Sequence, residues 1–236
     1  MKTLLTFILF VFLCAPIYAQ TTVILTSEAP LDGSWRNDNA NTVSYMYFYV
    51  GDEDTNNFNR GFVSFDLSTI PSGANIISAT LRIFQRSVEG TPYTDLGNLI
   101  VDHVDFGDIL DSTDFNITPL QANIGILSTN STIEWKELNV TTAVKDDLSN
   151  GRIHSQFRLR FPNDTDNDQS SDYVTFWASD YSDPTYHPQL VITYEAQTAS
   201  VPTMNEWGII ALIILSGFSG LYYLRRKSCS IVKTIK

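Results

Sequence analysis

The sequence predicts an all-β fold, an antiparallel β-sandwich of the jelly-roll type, followed by a single C-terminal transmembrane helix. Three observations predict it. Between residues 20 and 196, short runs rich in β-branched and aromatic residues alternate with Gly, Pro, Asn and Asp, the residues that end strands and make turns. That region has one short stretch of helical character. Finally, an apolar run stands close to each end of the chain.

The first apolar run reads as an export signal, residues 1–19. Met1 and Lys2 give a positive start, Leu4–Cys14 an apolar core of signal-peptide length, and Tyr18-Ala19 a cleavage point that leaves Gln20 first. The run is too short to span a bilayer comfortably.

The strands follow in order. Thr21–Thr26 is β-branched, and Asn41–Val50 is aromatic and β-branched. Asn75–Arg86 alternates, with Ile77, Ala79, Leu81 and Ile83 on one face and Ser78, Thr80, Arg82 and Phe84 on the other. In Gln156–Phe161, Phe157, Leu159 and Phe161 point inward while Arg158 and Arg160 point outward. Leu99–Phe106, Ile133–Glu137, Tyr173–Ala178 and Gln189–Tyr194 complete the set. A helix is predicted over Thr142–Ser149, with Thr141 or Thr142 as N-cap and Gly151 beyond its end. Many short strands at this spacing imply a sandwich.

Residues 197–200 form a spacer, and the second apolar run follows. Ile209–Leu224 carries no charge, so a transmembrane helix is predicted over about 208–224. Arg225, Arg226 and Lys227 would close it on the cytoplasmic side, with residues 228–236 as a cytoplasmic tail. Trp207, Tyr222 and Tyr223 sit where rings prefer the interface. Val201-Pro202-Thr203-Met204-Asn205-Glu206-Trp207-Gly208, with that span and basic end, resembles the bacterial IPTL-CTERM sorting signal over residues 201–227. The resemblance implies an exosortase-type membrane enzyme, of the exosortase H type, as partner, cutting or transferring the protein near the motif.

Charge narrows the function. The chain has a net charge of −11, and residues 20–200 hold nine basic residues against 25 acidic ones. Such a field disfavours nucleic acid and anionic membrane surfaces. Both cysteines, Cys14 and Cys229, lie outside this region, which therefore relies on packing rather than a disulfide. His103, His154 and His187 are scattered, and no nucleophile elbow, phosphate loop or thiol accompanies them, so no enzyme is expected.

Arg60–Arg86, with Phe65-Asp66-Leu67-Ser68, Ile70-Pro71-Ser72-Gly73 and Ala79-Thr80-Leu81, resembles the DNRLRE domain, related to carbohydrate-binding module family 96. Residues 138–151 and 174–194 match its helix and closing strands. The resemblance covers residues 40–194 and implies a β-sandwich at the bacterial surface that binds carbohydrate, some members taking uronic-acid polymers. Arg82, Phe84 and Arg86 share one strand face and Arg158 and Arg160 another; as neighbours they would form a patch for carboxylated sugars. The alternative is a sheet face whose arginines pair with Asp and Glu. Trp35, in a polar turn, is a candidate for stacking on a sugar. Asp164, Asp166 and Asp168 alternate as calcium-loop ligands do, although no EF-hand Gly or closing Glu follows. Two functions stay open: a displayed carbohydrate-binding or adhesive module, and a structural surface or matrix protein without a specific glycan.

Overall fold

The computed structural model describes residues 20–43, 45–195 and 204–232. It divides into two units, Met1–Gln197 and Thr198–Lys236. The expected signal peptide (1–19) and spacer (197–200) lie outside the described residues, as do Val201, Pro202 and Thr203.

The first unit is mostly β. In chain order the strands are β1 (Gln20–Thr26), β2 (Gly33–Arg36), β3 (Tyr47–Asp52), β4 (Phe58–Asp66), β5 (Asn75–Glu89), β6 (Leu99–Val104), β7 (Gln121–Ser128), β8 (Trp135–Asn139), β9 (His154–Arg160), β10 (Asp172–Trp177) and β11 (Gln189–Glu195). A short helix α1 (Pro92–Asp95) follows β5, and α2 (Thr141–Ser149) follows β8. The strands join in one sheet of order β1-β11-β5-β10-β3-β4-β9-β6-β7, with β2 added on β4 and β8 on β5.

β5 is the strand that bends the sheet. Over 15 residues its first part pairs with β11 and β8, and its last part with β10. Strands far apart in the order therefore face one another across one core, which holds Phe48, Phe65, Leu81, Phe157, Phe176, Leu190 and Ile192. Each such buried side chain contributes about 1.5–3 kcal/mol of transfer free energy. The mostly-β reading agrees with this, but the jelly-roll sandwich is corrected: hydrogen bonding runs on through β5, and the sheet curls into a half barrel.

The pattern of β5 also carries a slip. Ala79, Leu81 and Ile83 point inward as alternation requires, yet Ile77 is 42% exposed while Ile76 is buried. The register against β11 shifts by one residue there, with Ser78 facing Thr193 but Ile76 facing Tyr194, and the bulge turns Ile77 out. The turn before β5 depends on Gly73, whose φ is +84° and which lets the Ala74 N–H donate to the Pro71 carbonyl at 3.0 Å. In α2, the Thr141 hydroxyl accepts from the Ala79 N–H at 2.9 Å, so it docks the helix on β5 instead of capping it.

The second unit is α3 (Met204–Val232), a helix of 29 residues. Among the described residues no helix is long and apolar enough to cross a membrane, which corrects the transmembrane helix expected over 208–224. The uncharged stretch Ile209–Leu224 is 16 residues, and Ser216, Gly217, Ser219, Gly220, Tyr222 and Tyr223 dilute its C-terminal part. At 1.5 Å per residue it reaches about 24 Å, short of the roughly 30 Å hydrocarbon core.

Candidate functional site

The outward face of the curled sheet carries the most distinctive surface. Arg82, Phe84 and Arg86 share the outer side of β5, as alternation requires, and all three are half-buried. The register sets Trp135 of β8 opposite Phe84, and Tyr47 of β3 opposite Trp177 of β10. The Arg86 guanidinium stacks over Tyr47 at 4.3 Å and over Trp177 at 4.9 Å, and that of Arg82 over Trp135 at 4.8 Å. Trp177 stacks on Tyr181 at 3.7 Å, Phe84 meets Tyr186 at 4.7 Å, and Tyr49 meets Tyr173 at 5.1 Å. Arg82 also donates to Glu137 at 2.7 Å. The face is thus a stripe of half-buried rings and cations. Trp135 and Trp177 belong to it rather than to the core, because their strand positions have the outward parity.

Arg158 and Arg160 stand elsewhere. β9 pairs with β4 and β6, so β10, β3 and β4 separate it from β5, and the two arginine groups do not meet. Arg158 is buried. It donates to Asp102 Oδ2 from Nε at 3.1 Å and from Nη2 at 2.8 Å, and to the Ile117 carbonyl at 2.9 Å. Arg160 Nε donates to the same oxygen at 2.8 Å, and the Asn123 N–H donates to Asp102 Oδ1 at 2.8 Å. Burial opposes the Asp102 charge, but Arg160, the Asn123 amide and Arg158 outweigh it and hold the carboxyl below its ordinary range. The partner that draws Arg158 inward sits 56 residues away, which no local pattern reveals. Trp35 lies in β2, half-buried against a smaller core of Leu31, Phe62, Val104, Phe106 and Leu110.

The acidic loop between β9 and β10 is also divided. Both Asp164 carboxylate oxygens accept from Arg60 Nη2 at 3.1 Å. Asp168 caps the turn that follows it, its Oδ1 accepting from the Ser170 N–H at 2.6 Å. Asp166 joins a different group, with ligand oxygens of Asp95, Asp166 and Asp172 all within 4.8 Å of one another. Asp172 pairs directly with Asp52 across the β10–β3 ladder. The histidines are held by protein groups: His103 Nε2 lies 2.7 Å from Asp147 Oδ1, His154 Nδ1 lies 2.9 Å from Glu28, and His187 Nε2 donates to the Tyr181 carbonyl at 2.6 Å.

A family model described as TGF-beta propeptide matches residues 20–192. No curated protein matches the chain. The match takes in nearly the whole β unit and overturns the DNRLRE resemblance, together with the bacterial surface function and polysaccharide ligand it implied. The motif residues show why that likeness misled. Phe65, Leu67, Ile70, Ala79 and Leu81 are buried and Gly73 makes a turn, so they report packing that a curled sheet demands and say nothing of a ligand. The IPTL-CTERM signal and its exosortase partner fall as well. Glu206, Trp207, Gly208, Arg225, Arg226 and Lys227 lie within α3, a helix unable to span a membrane, and the protein is exported as a member of a propeptide family. With 173 of its 236 residues inside that match, the chain belongs to the TGF-beta propeptide family.

Proposed function

We propose that this is a secreted, non-catalytic binding domain that holds a polypeptide partner in the manner of a propeptide, the partner being a growth factor of the TGF-beta type. The family match over residues 20–192 carries the reading. The stripe of Arg82, Phe84, Arg86, Trp135, Tyr47 and Trp177 supports it, since Trp, Tyr and Arg are the residues that dominate protein interfaces. Rings locked by mutual stacking lose little side-chain entropy when a partner covers them.

The charge gives the partner's sign. With 25 acidic residues against nine basic ones in residues 20–200, the domain favours a basic polypeptide and speeds its capture at low salt. Arg82 spends Nε on Glu137 and Nη1 on Gln189, and Arg86 spends Nη1 on Ser87 and Thr175, so it is their Nη2 groups that can reach a partner's carboxylates or carbonyls. The test is co-secretion of the full chain with a mature TGF-beta growth factor, followed by purification through a tag on the chain. Recovery of the growth factor in a stoichiometric complex is expected. Its complete absence would refute the reading.

A further inference from the structure

β1 stands at one end of the strand order and pairs on one side, with β11. Its register there is unbroken over seven residues, from Gln20 facing Glu195 to Thr26 facing Gln189. In an antiparallel ladder every second residue turns its N–H and C=O toward the partner, and the others turn theirs away. Two contacts fix which residues do which. The Ser27 N–H donates to the Pro188 carbonyl at 3.0 Å, one step beyond the Thr26–Gln189 pair, so Thr21, Val23 and Leu25 bond to β11. On the far side of β11, Ala79 of β5 accepts from the Val140 N–H and donates its own N–H to Thr141. Its neighbour Thr80 therefore bonds to Val191, which leaves the backbone of Val191 turned away from Ile24, the β1 residue it faces. Both routes agree. Gln20, Thr22, Ile24 and Thr26 present their backbone groups to an open edge, where nothing meets them among the described residues.

This edge lacks the devices that keep such strands from pairing with another chain. β1 holds no Pro, no Gly and no charge, in a region with 25 acidic residues against nine basic ones. β7, at the other end of the order, is built differently. Its register against β6 shifts twice, Asn123 has φ +48°, and the Asn123 N–H is taken by Asp102. On β1, Ile24 is 60% exposed in mid-strand, while Val23 and Leu25 pack against the main core.

We propose that two copies of the chain pair through β1, antiparallel, about a two-fold axis at Val23. That register sets Thr22 against Ile24 of the second copy and Gln20 against its Thr26. Each is a pair that exchanges two hydrogen bonds, so every outward group is met. A slip of one residue would oppose outward groups to inward ones, and a slip of two would leave one end unpaired. Val23 then meets Val23 at the margin of the core, and Ile24 lies beside Thr22 and diagonal to the other Ile24. Charge favours a second copy as the occupant. Two strongly acidic surfaces repel, and β1 is a stretch over which they can approach without opposing carboxylates. A strand that is its own antiparallel complement closes a two-fold pair and leaves no filament to grow. An edge of seven residues buries less than the roughly 1,200 Å² of a stable interface, so the pair is weak.

Sedimentation equilibrium of the full chain, up to about 200 μM, tests the pairing. A monomer–dimer equilibrium with Kd on the order of 10–100 μM is expected, tightening as salt screens the acidic repulsion. Ile24→Glu, at an exposed outward position, is expected to weaken the dimer at least about tenfold. Thr22→Pro is expected to abolish it, because the Pro removes an outward donor and no bond to β11. Thermal melts show whether both variants stay folded; should Thr22→Pro unfold, Ile24→Glu decides. Ile126→Glu, on exposed β7, adds the same charge and is expected to keep the dimer. Hydrogen exchange at high concentration is expected to protect the Thr22, Ile24 and Thr26 amides. A monomer at about 200 μM in about 0.5 M salt would overturn the proposal. So would a dimer kept by folded Ile24→Glu, or one lost in Ile126→Glu. Edge amides protected only once a mature growth factor is added would overturn it too, by giving the edge to that partner.

Discussion

Replacing Asp102 with Ala is expected to be among the most damaging single changes in the domain. Asp102 is fully buried and accepts five hydrogen bonds, from Arg158 Nε and Nη2, Arg160 Nε and Nη2, and the Asn123 amide. Without it the Arg158 guanidinium, whose side chain is 6% exposed, is left as a buried charge with only the Phe115 and Ile117 carbonyls. Arg160, 23% exposed, can turn to water. Breaking a buried pair from one side costs about 3–5 kcal/mol, or roughly 6–20 °C in Tm for a domain of this size. Urea denaturation monitored by circular dichroism gives the value. Removing both charges with Asp102→Leu and Arg158→Met is expected to restore more than half of the loss, because the desolvation cost goes with them. A loss under about 1 kcal/mol for Asp102→Ala, or a double variant worse than the single, would refute the reasoning.

Other outcomes follow from the same contacts. Asp102 is held below its ordinary pKa, so its contribution is present above the unfolded value and disappears as pH falls through the folded one. Asp102→Asn should therefore flatten the acid limb of the stability curve below about pH 4, as acid titration of unfolding will show. Asp32 has the opposite sign: burial, against hydrogen bonds from Ser179, pushes it up from 3.8 to about 6, so stability declines as pH rises across that window. Asp32→Asn should remove that decline, worth about 3 kcal/mol at most, and an unchanged slope between pH 4 and 6 would contradict the assignment. Gly61→Ala should cost at least about 1–3 kcal/mol, since its Cβ would sit 2.7 Å from Phe48 Cε2 and 2.9 Å from Val50 Cγ2; wild-type stability would mean that β3 shifts freely. Glu137→Ala, by contrast, removes a partly exposed partner of Arg82 and should change stability by less than about 1 kcal/mol in the same urea assay.

What was legible in the sequence was what alternates locally. The period-two pattern of Ala79, Leu81 and Ile83 gave the core face of β5, and the same parity put Arg82, Phe84 and Arg86 outside. β7 (Gln121–Ser128) escaped notice because it is a polar edge strand with mostly exposed side chains, and β2 because its four residues begin with Gly33 and Ser34. The site was harder to read, since its pairings are remote. Nothing near Arg158 announces Asp102, and nothing in the 161–171 loop announces Asp52, set opposite Asp172 by a ladder joining segments 120 residues apart. Asp164 looked equivalent to Asp166 in sequence, yet Arg60 on β4 claims the first and leaves the second. At the C-terminus, hydropathy of Ile209–Leu224 suggested a span, whereas the length and composition of that run fall short of one.

Whether the arginine–aromatic face holds a polypeptide is decided most directly by a binding titration of the full chain against an immobilised mature TGF-beta growth factor. Parent, Arg86→Glu and Tyr181→Ala should be compared at two salt concentrations, after thermal melts show all three folded. Arg86 stacks on Tyr47 and Trp177 at the centre of the stripe, and Tyr181 covers Trp177. Submicromolar binding by the parent is expected, weakening with salt, and falling at least about tenfold in Arg86→Glu, the loss of a hot-spot residue. No binding at about 10 μM, or equal binding by all three proteins, would contradict the assignment of this face.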